Sequence, residues 1–544
     1  MNLLKDPWIP VLRRDGTTEL IRPYEITGLI ETNPVQILDA ARPDFNGSLI
    51  QFLIGIIQAV MTPEDEEEWC ERFLNPPAED ELQGLMEKYY AYFNLDGEDI
   101  RFMQETGLDS DNTLNIGSLL IESPGVNTMK NNTDHFIKRG NTEKMCPCCT
   151  AAAIFTMNTN APAGGAGIRT SLRGGGPLTT IAVPEDDRSR YNTLWHKVWL
   201  NILIKKDIRL THCKINLKED EQKFPWISPV KISKEKGTET TFDEIHPVQT
   251  YWAMPRRMRL DPPIVESAIC DVCGKEIDSY YSSYSTRPYG INYGEGILHP
   301  LSPYYSDKNG LKLPVHPQPG GFIYRHWPDY IASDDPNNPR AIVLQKVDER
   351  LRDLKLEKVG QSIRVHVFGY DMDNMKARCW YETQMPYFLI KEKIRENFVE
   401  YAQRLANAAR QVAANTRTAV KNAWFSPDST VRGDLFFIEN EFWNGTEKDY
   451  YGTLLEIRSA LENKPEMIND ILEIWLRNLN RMSLRVFDFY AEQVSPVAGD
   501  AKEKNEKNCI PRMIKARDRL IGFNLGKPVR EKILKLPAKA KMKE

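Results

Sequence analysis

The sequence predicts an α+β chain: a large, irregular mixed domain over residues 1–380 that carries a zinc site, followed by a C-terminal four-helix bundle over 381–544. Three observations predict it. Between about residues 100 and 380 the chain is dense in Gly, Pro, Asn and Tyr and has few long periodic segments. After Tyr381, apolar residues recur at alternating steps of four and three, the stripe of a bundle helix. Two C-x-x-C knuckles, Cys146/Cys149 and Cys270/Cys273, stand in the irregular part. The chain has 544 residues, too many for one ordinary core.

Residues 1–45 read as short strands and turns. Trp8–Ile21 places apolar runs on either side of Asp15-Gly16, a hairpin signal. The longest apolar run, Ser48–Met61, is shorter than the roughly 18 residues that cross a membrane, so it is expected as a buried core helix. Shorter helical patterns lie near 64–73 and 80–93. The chain opens without a basic region, apolar core and cleavage site, so a cytoplasmic protein with no membrane partner is expected. The aromatic and glycine-rich excursion Tyr280–Gly296 has the texture of a binding loop. Met385–Trp424 carries Ile394, Phe398, Tyr401, Leu405, Ala408 and Val412 on one helical face. Glu466–Tyr490 repeats the pattern with Ile471, Leu472, Trp475, Leu479, Met482 and Val486. Shorter helical patterns near 433–443, 448–462 and 507–522 complete the expected bundle.

The hydrophobic share of 41% and charged share of 27% are those of a globular protein, and the net charge is −5. Charge is uneven. Thr62–Phe73 is acidic, whereas Pro511–Glu544 holds eleven Lys and Arg against three Asp and Glu. Such a tail suits either a local polyanion contact or a solvated end. Nine cysteines in a chain of this kind argue against a disulfide framework.

The two knuckles supply four soft thiolates, the tetrahedral set that a structural Zn²⁺ favours. Buried thiols or a redox C-x-x-C are the alternatives, and Cys148 is a substitute ligand. Twelve residues beyond Cys149 begins the second unusual stretch, "APAGGAGIRTSLRGGGPLTT" (Ala161–Thr180), with six glycines, two arginines and no acid. No Lys-Ser or Lys-Thr follows either glycine cluster, and Thr170 occupies the place of the third glycine of a dinucleotide fingerprint. A loop whose backbone approaches nucleic acid fits better, with Arg169 and Arg173 available for phosphates. Just upstream, His135 and Phe136 interleave with Lys138 and Arg139, a mixture suited to bases and backbone. On the second long helix, Arg477, Arg481 and Arg485 share one face, suited to phosphates, to neighbouring subunits or simply to solvent. Arg410, Arg417 and Lys421 form a similar row. No zinc-hydrolase, serine-hydrolase, kinase or helicase signature occurs.

The chain resembles one family in particular, the large subunit of the type I-E CRISPR surveillance complex, Cascade. The segments "NLLKDPWIPVL", "RPDFNGSLIQFLIGIIQ", "RFMQ", "CPCCTAAAIFTMNTNAPAGGAGIRTSLRGGGPLTT", "CDVCG", "ILHPLSPY" and "FGYDMDNMKARCWYE" carry the likeness, in the family's order. The resemblance implies a non-catalytic subunit that works with other Cascade subunits and crRNA. It would read the protospacer-adjacent motif (PAM) of double-stranded target DNA, help open the duplex and dock a helicase-nuclease. It further implies a PAM-reading glycine loop at Ala163, Gly164, Gly165, Ala166 and Gly167. A basic finger is implied at Arg287, where the family usually has lysine. A strand-parting wedge is implied at Asp373, Asn374 and Met375, with Asn374 where a familiar member has glutamine. His135–Arg139 matches a segment near the PAM and the crRNA 5′ end, and Cys146, Cys149, Cys270 and Cys273 match the family's zinc ligands.

Overall fold

The apolar run at Ser48–Met61 folds as part of the helix Pro43–Val60. Proline at its start supplies a preset φ where no amide donor is needed, and the run is apolar on every side, so nearly the whole helix is buried. Phe52 on this helix is the centre of the N-terminal core. Trp8, Phe93, Phe102, Phe155 and Trp252 surround it edge to face, at centroid distances of 5.2 to 6.3 Å. Such pairs add to the burial term because the positive ring edge meets the negative face.

The computed structural model describes residues 1–110, 112–131, 140–162, 164–185, 190–208, 222–333, 335–353, 363–425, 435–493 and 506–538. They divide into two units, Met1–Gly321 with Asp334–Leu389, and Phe322–Ser333 with Ile390–Glu544. The first is mixed α and β, and the second is helical.

In the first unit Ile9–Arg13 is the central strand of a three-stranded sheet, paired on one side with Thr18–Ile21 and on the other with Val35–Leu38. The hairpin expected around Asp15-Gly16 is therefore present, with one further strand. The longest strands, Ile363–Asp373 and Lys376–Pro386, form an antiparallel hairpin, and Thr179–Pro184 pairs with the first of them from Ile363 to Phe368. This hairpin seats on the buried helix at Gly47, where a Cβ would lie 2.6 Å from the Trp380 ring and 3.0 Å from Phe368. A boundary at 380/381 would cut the strand Lys376–Pro386. Its hydrogen-bonded partner lies in the first unit, which holds it there to Leu389.

In the second unit the long helices are Glu392–Trp424, Phe436–Asn463, Ile468–Asp488 and Glu506–Leu525, and they pack on one another. Ile394, Phe398, Leu405, Ala408 and Val412 are buried as the stripe requires, while Tyr401 is half-buried. The two short helices expected at 433–443 and 448–462 are one continuous helix. Gly445 interrupts the sequence pattern without breaking the helix, because its missing side chain admits Met482 from the facing helix. The segment Phe322–Ser333 also belongs to this unit, although its place in the sequence puts it in the first domain. Tyr324 stacks on Tyr450 at 4.5 Å and shares a 2.8 Å hydrogen bond with Thr446. Among the described residues no helix is long and apolar enough to cross a membrane.

Trp475 is fully buried and donates its indole N–H to the Leu405 carbonyl at 3.2 Å. Trp475→Ala is expected to destabilise the helical unit by about 3–5 kcal/mol, read as a lowered denaturation midpoint.

Candidate nucleic-acid interface and metal centre

The knuckles meet before any metal is considered. Cys146 caps the helix Pro147–Asn160, and its sulfur accepts the Cys149 amide at 3.3 Å. Cys270–Lys275 is the turn of the hairpin Ile264–Ile269/Glu276–Tyr280. Met145 and Tyr281 exchange both backbone hydrogen bonds, at 3.1 and 2.9 Å. Asp271, which no motif nominated, accepts the amides of Glu143 at 2.8 Å and Lys144 at 2.7 Å, tying one knuckle to the other. The sulfurs of Cys146, Cys149, Cys270 and Cys273 consequently lie within 4.8 Å of one another. Cys146 and Cys273 sulfurs are 3.9 Å apart. A tetrahedral zinc–thiolate site, with bonds of about 2.3 Å, has sulfurs about 3.8 Å apart, so these four residues can hold a metal ion after small adjustments. None of the four is in a disulfide. Hydrogen bonds from Cys146, Cys149 and Cys273 hold the Cys270 thiol low, and the same sharing pushes Cys149 up. A divalent cation relieves that competition by compensating several thiolates at once.

The helix Pro147–Asn160 runs from this centre to the glycine stretch and is mostly buried. The stretch closes on its own base, since the Ser171 amide donates to Ala161 and the Gly176 amide to Asn160, both at 3.2 Å. Its glycines divide into two kinds. Gly167 has φ 80°, and a Cβ there would lie 2.9 Å from Pro288 and from the Tyr289 ring. Gly176, with φ 62°, would carry its Cβ 2.6 Å from the Tyr370 carbonyl and 3.0 Å from Met372. Both are glycine because neighbouring segments of the same protein touch their backbone. Gly165 differs: it is exposed, and a Cβ there would meet no described atom within 4 Å. Ala166 is exposed beside it, and Gly164 lies against Ile168.

The close approaches at Gly167 and Gly176 join the stretch to the two other sequence candidates. Arg287 ends the strand Ser283–Arg287, with Arg257 as its register partner. Its side chain is 44% exposed, and its guanidinium lies 3.7 Å from the solvent-facing Asp109. Such a pair holds the side chain weakly, so Arg287 can change partners. Asp373, Asn374 and Met375 form the exposed end of the long hairpin. Register pairs Asp373 with Lys376, leaving Asn374 and Met375 as the turn, and Asn374 takes φ 54°, which asparagine tolerates. Met375 is 55% exposed. The hairpin is fixed lower down, where Tyr370 donates to the buried Asp44 at 2.6 Å. Burial and that carboxylate push the Tyr370 phenol up, which keeps it a donor.

Two arginines assigned to phosphates are otherwise engaged. Arg173 is 3% exposed and donates to Thr179 and Ser302 at 3.0 Å and to Gln51 at 2.5 Å. Burial pushes its pKa down to about 10, so it stays charged at neutral pH as an internal strut. Arg169 is half-buried and donates to the Ser233 hydroxyl at 2.7 Å and to the Ser233 carbonyl. Arg477, Arg481 and Arg485 are all exposed, and Arg481 and Arg485 make no ion pair among the described residues. In the other row, Arg410 is bound to Asp329 and the Arg325 carbonyl, and Arg417 to Glu439. Ala163, His135, Phe136, Lys138 and Arg139 lie outside the described residues.

A family model described as CRISPR-associated protein Cse1 matches residues 2–486. The chain belongs to the CRISPR-associated protein Cse1 family. The likeness noted from the sequence is thus one of family membership. CasA (Cse1) of Thermus thermophilus has the same fold, with a TM-score of 0.66 at 15% identity over 96% of this chain and 99% of that one. Cse1 of Thermobifida fusca gives 0.69 at 14% identity over 97% and 98%. A chain of a CRISPR RNA-guided surveillance complex gives 0.64 at 14% identity over 97% and 99%.

Cys270→Ser is expected to lower metal affinity by more than the roughly 10- to 100-fold cost of losing an outer partner of a metal ligand, read by competition with a chromophoric chelator. Elemental analysis should show the metal lost with this variant and kept with Cys379→Ser, whose thiol lies outside the cluster.

Proposed function

We propose that this chain is the non-catalytic large subunit of a crRNA-guided type I-E Cascade, which reads the PAM of double-stranded DNA from the minor groove. It begins strand separation there and recruits the helicase-nuclease that degrades the target. The observation that carries this reading is the placement of three exposed groups on one support. Gly165-Ala166 belong to the glycine stretch, and Arg287 and Asn374-Met375 stand on segments packed against it. Among the described residues nothing packs where a Gly165 side chain would stand, which favours an external surface against its backbone.

The chemistry of the three groups is complementary. A bare backbone can enter the minor groove, about 6 Å wide, where side chains crowd. Arg287 brings positive charge and donors into the same groove, although its planar fork differs from the ammonium usual at this place. Asn374 and Met375 supply a polar and an apolar tip for insertion beside a base step. Unstacking costs a few kcal/mol per step, which neutralised phosphates offset. The minor groove distinguishes mainly A·T from G·C, so several PAM sequences are accepted. Zinc held by Cys146, Cys149, Cys270 and Cys273 would supply a structural cross-link beneath the glycine stretch. The C-terminal helices are read as a four-helix bundle whose face bearing Arg477, Arg481 and Arg485 meets nucleic-acid phosphates. The other Cascade subunits and crRNA are its partners in assembly.

In the assembled complex, Arg287→Ala and Asn374→Ala should each weaken binding to PAM-bearing duplex by about 5- to 100-fold, the range of a lost specific base contact, with assembly intact. Equal affinity of the variants and the parent for PAM and non-PAM duplexes would sink the assignment. Gly165→Leu should leave thermal stability unchanged and still lower PAM affinity, whereas Gly167→Ala should lower both. Raising salt from about 50 to 200 mM should weaken duplex binding steeply, with a log–log slope near −0.9 per neutralised phosphate.

A further inference from the structure

Tyr289 has an unusual backbone for its type. It takes φ 65°, in the left-handed region that bulky residues rarely adopt. Non-glycine residues persist there when their surroundings over-determine them, and such positions cluster at functional sites. The surroundings of Tyr289 are specific. Its amide donates to the Gly167 carbonyl at 2.7 Å, and its carbonyl accepts from the Ser233 amide at 3.1 Å. Its ring fills the space a Cβ at Gly167 would need. The Arg169 guanidinium lies over that ring, 5.9 Å from its centroid, and is itself held by the Ser233 hydroxyl. That hydroxyl donates onward to the Gly290 carbonyl at 2.6 Å. Gly290 in turn touches the Pro255 carbonyl, where no side chain fits.

These contacts make a closed circuit, with the glycine stretch on one side and the Arg287-Pro288 turn on the other. Tyr289 is two residues from the finger, and Gly167 is two residues from the exposed Gly165. We infer that Tyr289, Arg169 and Ser233 form a latch that sets the spacing between the glycine loop and the Arg287 finger, and thereby the discrimination between PAM and other sequences. The inference rests on the PAM-reading function proposed above and names residues beyond its contact groups. All three are positioning residues. Arg169 acts by covering the Tyr289 ring, a role that accounts for its partial burial better than a phosphate contact does.

The test uses the assembled complex with full-length Tyr289→Phe, Tyr289→Gly and Arg169→Met, and Arg287→Ala beside them. Glycine adopts a positive φ without strain, so Tyr289→Gly removes the ring without forcing the turn. It and Arg169→Met should reduce the ratio of PAM to non-PAM affinity by about tenfold, comparable to one base contact, while non-PAM affinity stays within about twofold. Tyr289→Phe keeps the ring and the backbone bonds and should retain the parental ratio. A general loss of folded protein would lower both affinities together. Hydrogen exchange of the 164–168 segment should quicken in Tyr289→Gly, with 145–150 unchanged. If Arg287→Ala lowers the ratio and Tyr289→Gly does not, the latch is wrong and PAM reading stands. If Arg287→Ala leaves the ratio unaltered, PAM reading by this finger fails. Exchange then decides the latch: unaltered protection at 164–168 in Tyr289→Gly overturns it.

Discussion

Backbone packed against backbone and ring, with no side chain between, is the contact on which the candidate interface depends. Gly167 lies against Pro288 and Tyr289, and Gly176 lies against Tyr370 and Met372. Either contact would be displaced by a single methyl group. Through the first, the glycine loop is registered to the Arg287 turn, and through the second to the hairpin that ends at Asn374. Three segments far apart in sequence thereby share one reference surface. Glycine loses more freedom on folding than other residues, so this arrangement carries an entropic cost that the surrounding structure must offset.

The offset is visible beneath the loop. The helix Pro147–Asn160 leads into it from the cysteine cluster, which joins two knuckles far apart in the chain. Asp271 and the Met145–Tyr281 backbone pair hold the two knuckles together independently of the sulfurs. On the other side Arg173 is buried with no carboxylate partner among the described residues and donates to Gln51, Thr179 and Ser302. Unpaired buried charge is costly, so a buried guanidinium held by three hydrogen bonds at the closing end of the loop favours one arrangement over its competitors. A rigid support suits a surface that must present backbone rather than adaptable side chains. The helical unit is organised differently. Its helices bury regular stripes, and local exceptions such as Gly445 against Met482 are absorbed within the pattern. Regular stripes tolerate extensive substitution if volume and pattern are kept, which is consistent with the same fold at 14–15% identity.

Much of this protein was legible from sequence by itself, and the reason is local. Periodicity marks a helix because 3.6 residues per turn place the apolar positions on one face, so the buried stripes of Glu392–Trp424 and Ile468–Asp488 were readable apart from the half-buried Tyr401 and Met482. The first of these helices nevertheless starts at Glu392, and Met385 belongs to the preceding strand. C-x-x-C spacing marks a knuckle because two thiolates at that spacing can share a metal, and the ordered motifs marked the family. Tertiary structure decided what depends on distant neighbours. It separated Gly165, which faces outward, from Gly167 and Gly176, which face the protein, although all three read alike in the chain. It turned Arg173 from a phosphate contact into a buried strut and drew Phe322–Ser333 into the helical unit through Tyr324. It singled out Tyr289 within an aromatic stretch whose tyrosines look equivalent. A residue type states which contacts it can make; which of them it does make is settled by the segments the fold brings against it, and those segments lie far away in the chain.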